Sequence, residues 1–99
     1  MSLVSRFAPS TTGPAHPGTL LAALLAWLDA RASRGKFILR LEDLDPHRSN
    51  QELVAEMQKD LKWLGLDWDS VQLQSSRQEH YYRAMDILEN AGLLYPCNC

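Results

Sequence analysis

The stretch Arg6-Phe-Ala-Pro-Ser-Thr-Thr-Gly-Pro-Ala-His-Pro-Gly-Thr19 constrains the fold more than any other part of the chain. The residues around its start, 3–8, predict a short buried strand. Residues 9–17 hold three prolines and a glycine, so they must be loop. Pro17 suits a first helical turn, where its missing N–H has no intrahelical role. A helix is predicted from Pro17 to Ala32, with Gly35 as its stop. Leu20, Leu21, Leu24, Leu25, Trp27 and Leu28 cover most of its circumference, which predicts burial against a sheet. Phe37, Leu39 and Leu41 share one face of a second predicted strand over residues 37–42. Strand, helix and strand in this order make a βαβ unit with a right-handed crossover. The expected class is α/β, with parallel strands and crossover helices.

The rest of the chain continues that alternation. Ser49-x-x-Glu52 reads as a capping box. It opens a helix carrying Leu53, Met57, Leu61 and Leu64, stopped by Gly65. Residues 71–74 alternate as a short extended piece. Ser76-x-x-Glu79 reads as a second capping box, for a helix through Tyr82, Met85 and Leu88 that ends at Gly92. Residues 93–95 are expected to form a final short strand. Trp27, Trp63 and Trp68 read as core or rim packing. No repeat or linker divides residues 1–99.

A net charge of −2 gives no global basic field, which weighs against a stand-alone nucleic-acid module. The densest apolar run, residues 20–28, is too short to span a bilayer. Residues 1–5 lack the basic start of a signal peptide. Cys97 and Cys99 are separated by one residue, and so tight a disulfide ring would be strained. Reduced thiols and a cytoplasmic setting are the simpler expectation.

Three groups could carry chemistry. In an open parallel sheet, ligands bind beyond the carboxyl ends of the strands. There the loop ending in His16, Gly18 and Thr19 offers free N–H groups, a positive helix end, an imidazole donor and a hydroxyl to a phosphate. The plainer alternative is an ordinary strand-to-helix loop with a capping histidine. Arg40 and Glu42 share a strand face, and Asp43 and Asp45 follow. A carboxylate at that strand end could hold an ammonium group or, through water, Mg²⁺; alternatively the loop is merely acidic and solvated. Arg6 could meet a carboxylate ligand or pair internally with Glu42 or Asp43. Cys97-x-Cys99 is half of a tetrahedral zinc site, or two surface thiols.

These segments, taken in order, resemble the N-terminal part of a class I glutamyl-tRNA synthetase catalytic domain. Arg-Phe-Ala-Pro-Ser-x-Thr-Gly-Pro-x-His-x-Gly-Thr resembles the family's first signature, its form of the His-Ile-Gly-His motif. Phe-Ile-Leu-Arg-Leu-Glu-Asp-Leu-Asp-Pro46, Trp63-Leu-Gly-Leu-Asp-Trp68, Gln74-Ser-x-Arg77 and Gly92-Leu-x-Tyr-Pro-Cys-x-Cys99 continue the match. Asp-Leu-Asp-Pro46 and Tyr-Pro-Cys-x-Cys99 look more like the short branch, the glutamyl-Q tRNA(Asp) synthetases. That branch lacks an anticodon-binding domain and activates glutamate with ATP without needing tRNA. It then esterifies glutamate onto the queuosine base of the aspartate tRNA anticodon.

The resemblance implies the N-terminal half of a Rossmann-like nucleotide-binding domain, cut at the start of a zinc-binding segment. It implies a ligase with glutamate, ATP and tRNA as partners, Mg²⁺ and Zn²⁺ as cofactors, no membrane association, and a monomeric intact protein. Arg6, Phe7, Ala8, Pro9 and Ser10 would form the glutamate strip, and Glu42 would hold the α-ammonium. His16, Gly18 and Thr19 would serve the ATP phosphates, and Cys97 and Cys99 would be the first two zinc ligands. Thr11 stands where the family usually has proline, which implies a less rigid loop. Pro17 replaces an aliphatic or aromatic residue. The Lys-rich second ATP motif and the remaining zinc ligands are absent, so these residues alone should catalyse poorly. The alternatives are a piece of a true glutamyl-tRNA synthetase and a non-catalytic nucleotide-binding paralogue.

Overall fold

Phe37, Leu39 and Leu41 alternate along one strand and are all fully buried, so this strand is the centre of the molecule. The computed structural model describes residues 2–98. Its elements are β1 (Val4–Phe7), α1 (Pro17–Ala32), β2 (Lys36–Leu41), α2 (Gln51–Trp63), β3 (Ser70–Leu73), a 3-10 turn (Gln74–Arg77) and α3 (Gln78–Asn90). The strands are parallel in the order β1-β2-β3, with Arg6 beside Ile38 and Arg40 beside Gln72. When the strand order follows the chain order, crossovers of one hand place both connecting helices on one face. Accordingly Ala23 and Ala30 of α1 and Met57 and Leu61 of α2 join the same core as Phe7, Phe37, Leu39, Leu41 and Leu66.

All three helices end in the same hydrogen-bond pattern, in which two N–H groups fold back on the last turn. After α2, Gly65 takes φ +81° and the Leu66 N–H bonds to the Leu61 oxygen. After α1 the left-handed position is Arg34, at φ 54°, and the Gly35 N–H bonds to the Ala30 oxygen. Gly35 is thus not the left-handed stop expected of it. A close approach requires it instead, because a Cβ there would lie 2.2 Å from the Leu3 carbonyl oxygen.

The ends of the strands nearest their N-termini are tied by charge. The Arg31 guanidinium reaches Asp67 and Asp69, each at 2.9 Å. Trp27 Nε1–H donates to Asp67 at 2.8 Å, and the Phe37 N–H donates to Asp69 at 2.7 Å. The Trp27 hydrogen bond, then Arg31, lowers the Asp67 pKa; the Phe37 N–H, then Arg31, lowers that of Asp69. One cluster therefore joins α1, β2 and the start of β3.

Several local expectations are corrected. Helix α1 buries one side only, and Leu21, Leu25 and Leu28 face outward because a helix lying on one sheet has a single covered side. Asn50, not Ser49, caps α2, accepting from the Leu53 N–H at 2.9 Å. Ser76 donates to the Leu73 oxygen inside the 3-10 turn, and α3 begins two residues later without a side-chain cap. The apolar positions Tyr82, Met85 and Leu88 of α3 are exposed, as is Trp63. Residues 93–95 form no strand. Trp27 and Trp68 do border the core. No helix among the described residues is long and apolar enough to cross a membrane.

Candidate amino-acid and phosphate site

Beyond β1 the chain keeps pairing with β2. Ser10 forms a parallel bridge with Glu42, and the Glu42 N–H donates to the Pro9 oxygen at 3.0 Å. This continues the register of the ladder below it, so alternation decides which side chains face a ligand. Phe7 joins the core, and Pro9 and Thr11 are buried. Arg6, Ala8 and Ser10 point the other way, on the sheet face shared with Arg40 and Glu42. Of the five residues expected to form the strip, Phe7 and Pro9 therefore have their side chains withdrawn from that face.

The carboxylates near this end have distinct tasks. Both Asp43 oxygens are occupied by Ser75, through its N–H at 2.8 Å and its hydroxyl at 2.7 Å. Asp45 accepts from the N–H groups of His47 and Arg48, at 3.0 and 3.2 Å. Glu42 is half-buried, and its carboxylate has no hydrogen-bond or ion-pair partner among the described residues. Arg6 is exposed and pairs with neither Glu42 nor Asp43, since the ion pairs among the described residues are those of Arg31. Arg40 lies between them and donates to the Tyr81 hydroxyl at 3.3 Å, while its Nε is buried without a partner.

His16 is the N-cap of α1, with its Nδ1 accepting the Gly18 N–H at 2.9 Å. His16 is therefore a capping histidine, and this shapes the donor set. An accepting Nδ1 leaves the neutral ring's proton on Nε2. Pro17 has no N–H, Gly18 has used its own, and the Leu20 N–H bonds to the His16 oxygen. The donors left at the helix start are His16 Nε2–H, the Thr19 N–H and the Thr19 hydroxyl. A Cβ on Gly18 would meet His16 Nδ1 at 3.1 Å, so this glycine makes room for the capping ring.

Sequence reasoning missed Thr11 and Ser49, whose hydroxyl oxygens are 2.7 Å apart. The signal was parity: Thr11 falls on the inward side after Phe7 and Pro9, where a polar residue must find a partner. The loop is not loosened by this residue, because Thr11 also donates N–H and O–H to the Glu42 oxygen, each at 3.3 Å. Cys97 is exposed, and Cys99 lies outside the described residues. No group of three or more His, Cys, Asp or Glu side chains among the described residues could hold a metal ion. A groove of about 500 Å³ runs beside β3 between Val54, Gln58, Leu73, Arg77 and His80, and it contains none of the candidate residues.

The chain is 46% identical over 95 residues to glutamate–tRNA ligase 1 of Anaplasma phagocytophilum, covering 96% of this chain and 21% of that protein. It is 50% identical over 97 residues to glutamate–tRNA ligase 2 of Cereibacter sphaeroides, covering 98% and 22%. It is 45% identical over 103 residues to the glutamyl-Q tRNA(Asp) synthetase of Nitratidesulfovibrio vulgaris, covering 95% and 32%. The fold matches the crystal structure of a glutamate tRNA ligase from Elizabethkingia meningosepticum in complex with its amino acid, with a TM-score of 0.84 and 32% identity over 91% of this chain and 20% of that one. The chain thus spans between a fifth and a third of the length of these relatives. Residues 2–99 match the family described as tRNA synthetases class I (E and Q), catalytic domain, and the chain belongs to that family.

Proposed function

We propose that this chain supplies the glutamate-binding strip and the first phosphate-binding turn of a ligase that activates glutamate with ATP and passes it to tRNA. The observation that carries the proposal is the pair Arg6 and Glu42 on one sheet face, neither partnered among the described residues. Glu42 is bridged to Ser10, four residues beyond Arg6, and four strand residues span about 13 Å. An ammonium on Glu42 and a carboxylate reached by the long Arg6 side chain fit a small dicarboxylic amino acid in that interval. The other carboxylates near this strand end are already engaged, Asp45 within its own loop and Asp43 by Ser75, which leaves Glu42 to receive the ammonium.

The reaction this supports is adenylate formation. The glutamate α-carboxylate attacks the α-phosphorus of ATP and the bond to the leaving pyrophosphate breaks; a tRNA hydroxyl then takes the acyl group as the acyl–phosphate bond breaks and AMP leaves. The residues of this chain position the reactants and place donors at developing phosphate charge. His16 Nε2–H, with the Thr19 N–H and hydroxyl, would donate to phosphate oxygens. Mg²⁺ would arrive with ATP as part of the substrate. Cys97 and Cys99 would supply at most two of four zinc ligands, too few to hold the ion by themselves, and no step here runs through zinc.

The finer proposal is that the acceptor is the queuosine base of the aspartate tRNA anticodon. It is supported by Asp-Leu-Asp-Pro46, by Tyr-Pro-Cys-x-Cys99 and by the 45% identity to a glutamyl-Q tRNA(Asp) synthetase. The second reading, a glutamyl-tRNA synthetase, is favoured by the 46% and 50% identities to glutamate–tRNA ligases. Glutamate-dependent ATP–pyrophosphate exchange, measured in a complete protein carrying this chain, separates them. Exchange without tRNA is the expected result, and exchange only after tRNA is added would sink the glutamyl-Q assignment. Calorimetry of the chain itself with ATP tests the non-catalytic alternative: binding with no exchange in the complete protein would favour it.

A further inference from the structure

We propose that Thr11 is a positioning residue, and that its hydroxyl pair with Ser49 sets where the Glu42 carboxylate sits. This deepens the amino-acid reading and rests on Glu42 being its ammonium-binding group. Glu42 follows the last residue of β2, where an ordinary ladder would end. Its backbone is held from both sides by the neighbouring loop. The Glu42 N–H donates to Pro9, and the Glu42 oxygen accepts from the N–H and the hydroxyl of Thr11.

Because Thr11 Oγ1 gives its proton to the Glu42 oxygen, its own acceptor capacity is filled by the Ser49 hydroxyl at 2.7 Å. The relay runs from Ser49 to Thr11 to the Glu42 carbonyl. It connects the loop after β1 to both ends of the loop that runs from β2 to α2. Thr11 is fully buried, so removing the Ser49 hydroxyl leaves the Thr11 oxygen without its donor, and removing the Thr11 hydroxyl leaves the Glu42 oxygen with the Thr11 N–H alone. The arrangement restrains the Glu42 backbone and leaves its side chain uncommitted, which is what a preorganised ammonium site requires. Proline at position 11 could supply neither donor, so this chain holds the loop by hydrogen bonds where ring stiffness would otherwise do so.

Amide hydrogen exchange of the 99-residue chain tests the relay. Thr11→Val keeps the branched shape and deletes the hydroxyl; Ser49→Ala deletes the partner. In both, the Glu42 amide should exchange about three- to tenfold faster, with the Phe37 amide at the opposite end of β2 unchanged. Thr11→Ser should restore the original Glu42 rate. The double variant should be no worse than either single one, because both break the same relay. An unchanged Glu42 rate, an equal acceleration at Phe37, or no rescue by serine would each overturn the proposal. Titrating the unsubstituted chain with glutamate tests the underlying reading separately. Absence of any response there would refute the amino-acid site and leave the exchange rates to judge the relay.

Discussion

Gly35→Ala is the substitution whose consequence follows most directly from the geometry. The added Cβ would lie 2.2 Å from the Leu3 carbonyl oxygen and 2.9 Å from its carbonyl carbon. A comfortable C···O approach is about 3.3 Å, so one side must move by about 1 Å. Neither side is free to do so. The Leu3 oxygen accepts the Lys36 N–H at 2.8 Å, and the Gly35 N–H is fixed to Ala30 at 2.7 Å. Overpacking of this kind costs about 1–3 kcal/mol, and a lengthened backbone hydrogen bond adds about 1 kcal/mol. The sum, about 2–4 kcal/mol, is a large share of the roughly 5–15 kcal/mol that holds a small domain together. Each kcal/mol lowers Tm by about 4–8 °C at this size, so a fall of at least about 8 °C is expected, with the urea m-value unchanged. Gly65→Ala is the internal control. Nothing lies within 4 Å of that Cβ, and only the left-handed backbone at φ +81° is strained. Its cost should be about 1 kcal/mol. If Gly35→Ala proves no more destabilising than Gly65→Ala, the steric argument is wrong.

Three further outcomes are expected. His16→Asn keeps a good N-cap acceptor and should leave the stability read from thermal melts within about 0.5 kcal/mol of the parent, while loss of Nε2–H should weaken ATP binding by about tenfold or more in calorimetry; melting as low as His16→Ala would contradict the capping role. Arg34→Gly relieves a left-handed residue at φ 54° and should stabilise by about 0.5–1 kcal/mol in thermal melts, and a lowered Tm would refute the strain. The pKa values of Asp67 and Asp69 are depressed below 3.8 in the folded chain, so their stabilisation is present above the unfolded value and is lost as pH falls from about 4 through the folded values. Arg31→Met should therefore flatten part of the decline of the urea midpoint between pH 6 and pH 2, and an unaltered acid limb would show that Arg31 does not contribute to it.

The parts of the fold legible in advance were those set by local chemistry. Helix α1 begins at Pro17 and ends at Ala32 because a proline-rich loop and a two-residue turn bound it. The alternation of Phe37, Leu39 and Leu41 placed β2 in the core for the same local reason. Capping was less legible, because Ser49 and Asn50 are adjacent and both suit an N-cap. Tertiary contact decided between them: Ser49 is drawn away by Thr11, more than thirty residues distant, and Asn50 takes the cap. The outward leucines of α1 and the exposed face of α3 were misjudged because periodicity reports which positions are apolar without reporting what covers them. At the site, residue types pointed to Arg6, Glu42 and His16. Strand parity turns the Phe7 and Pro9 side chains into the interior, and hydrogen bonds occupy Asp43 and Asp45.

The open face that carries Arg6, Ser10, Arg40 and Glu42 follows from connectivity and not from composition. Strands in sequential order with crossovers of one hand must put α1 and α2 on the same side. Every inward residue of β2 is then apolar, and polar groups are confined to the other side or to the strand ends. At one end the carboxylates of Asp67 and Asp69 share Arg31, with Asp67 also held by Trp27 Nε1–H and Asp69 by the Phe37 N–H, which ties that end together. At the other end the same chemistry is withheld from Glu42: its backbone is clamped by Pro9 and Thr11, yet its charge is left without a partner. A half-buried, unpaired carboxylate costs free energy, and the nearby Arg6 could relieve that cost only across about 13 Å of strand. A small ligand with an ammonium on Glu42 and a carboxylate within reach of the extended Arg6 side chain would satisfy both groups at once, which neither can do for the other.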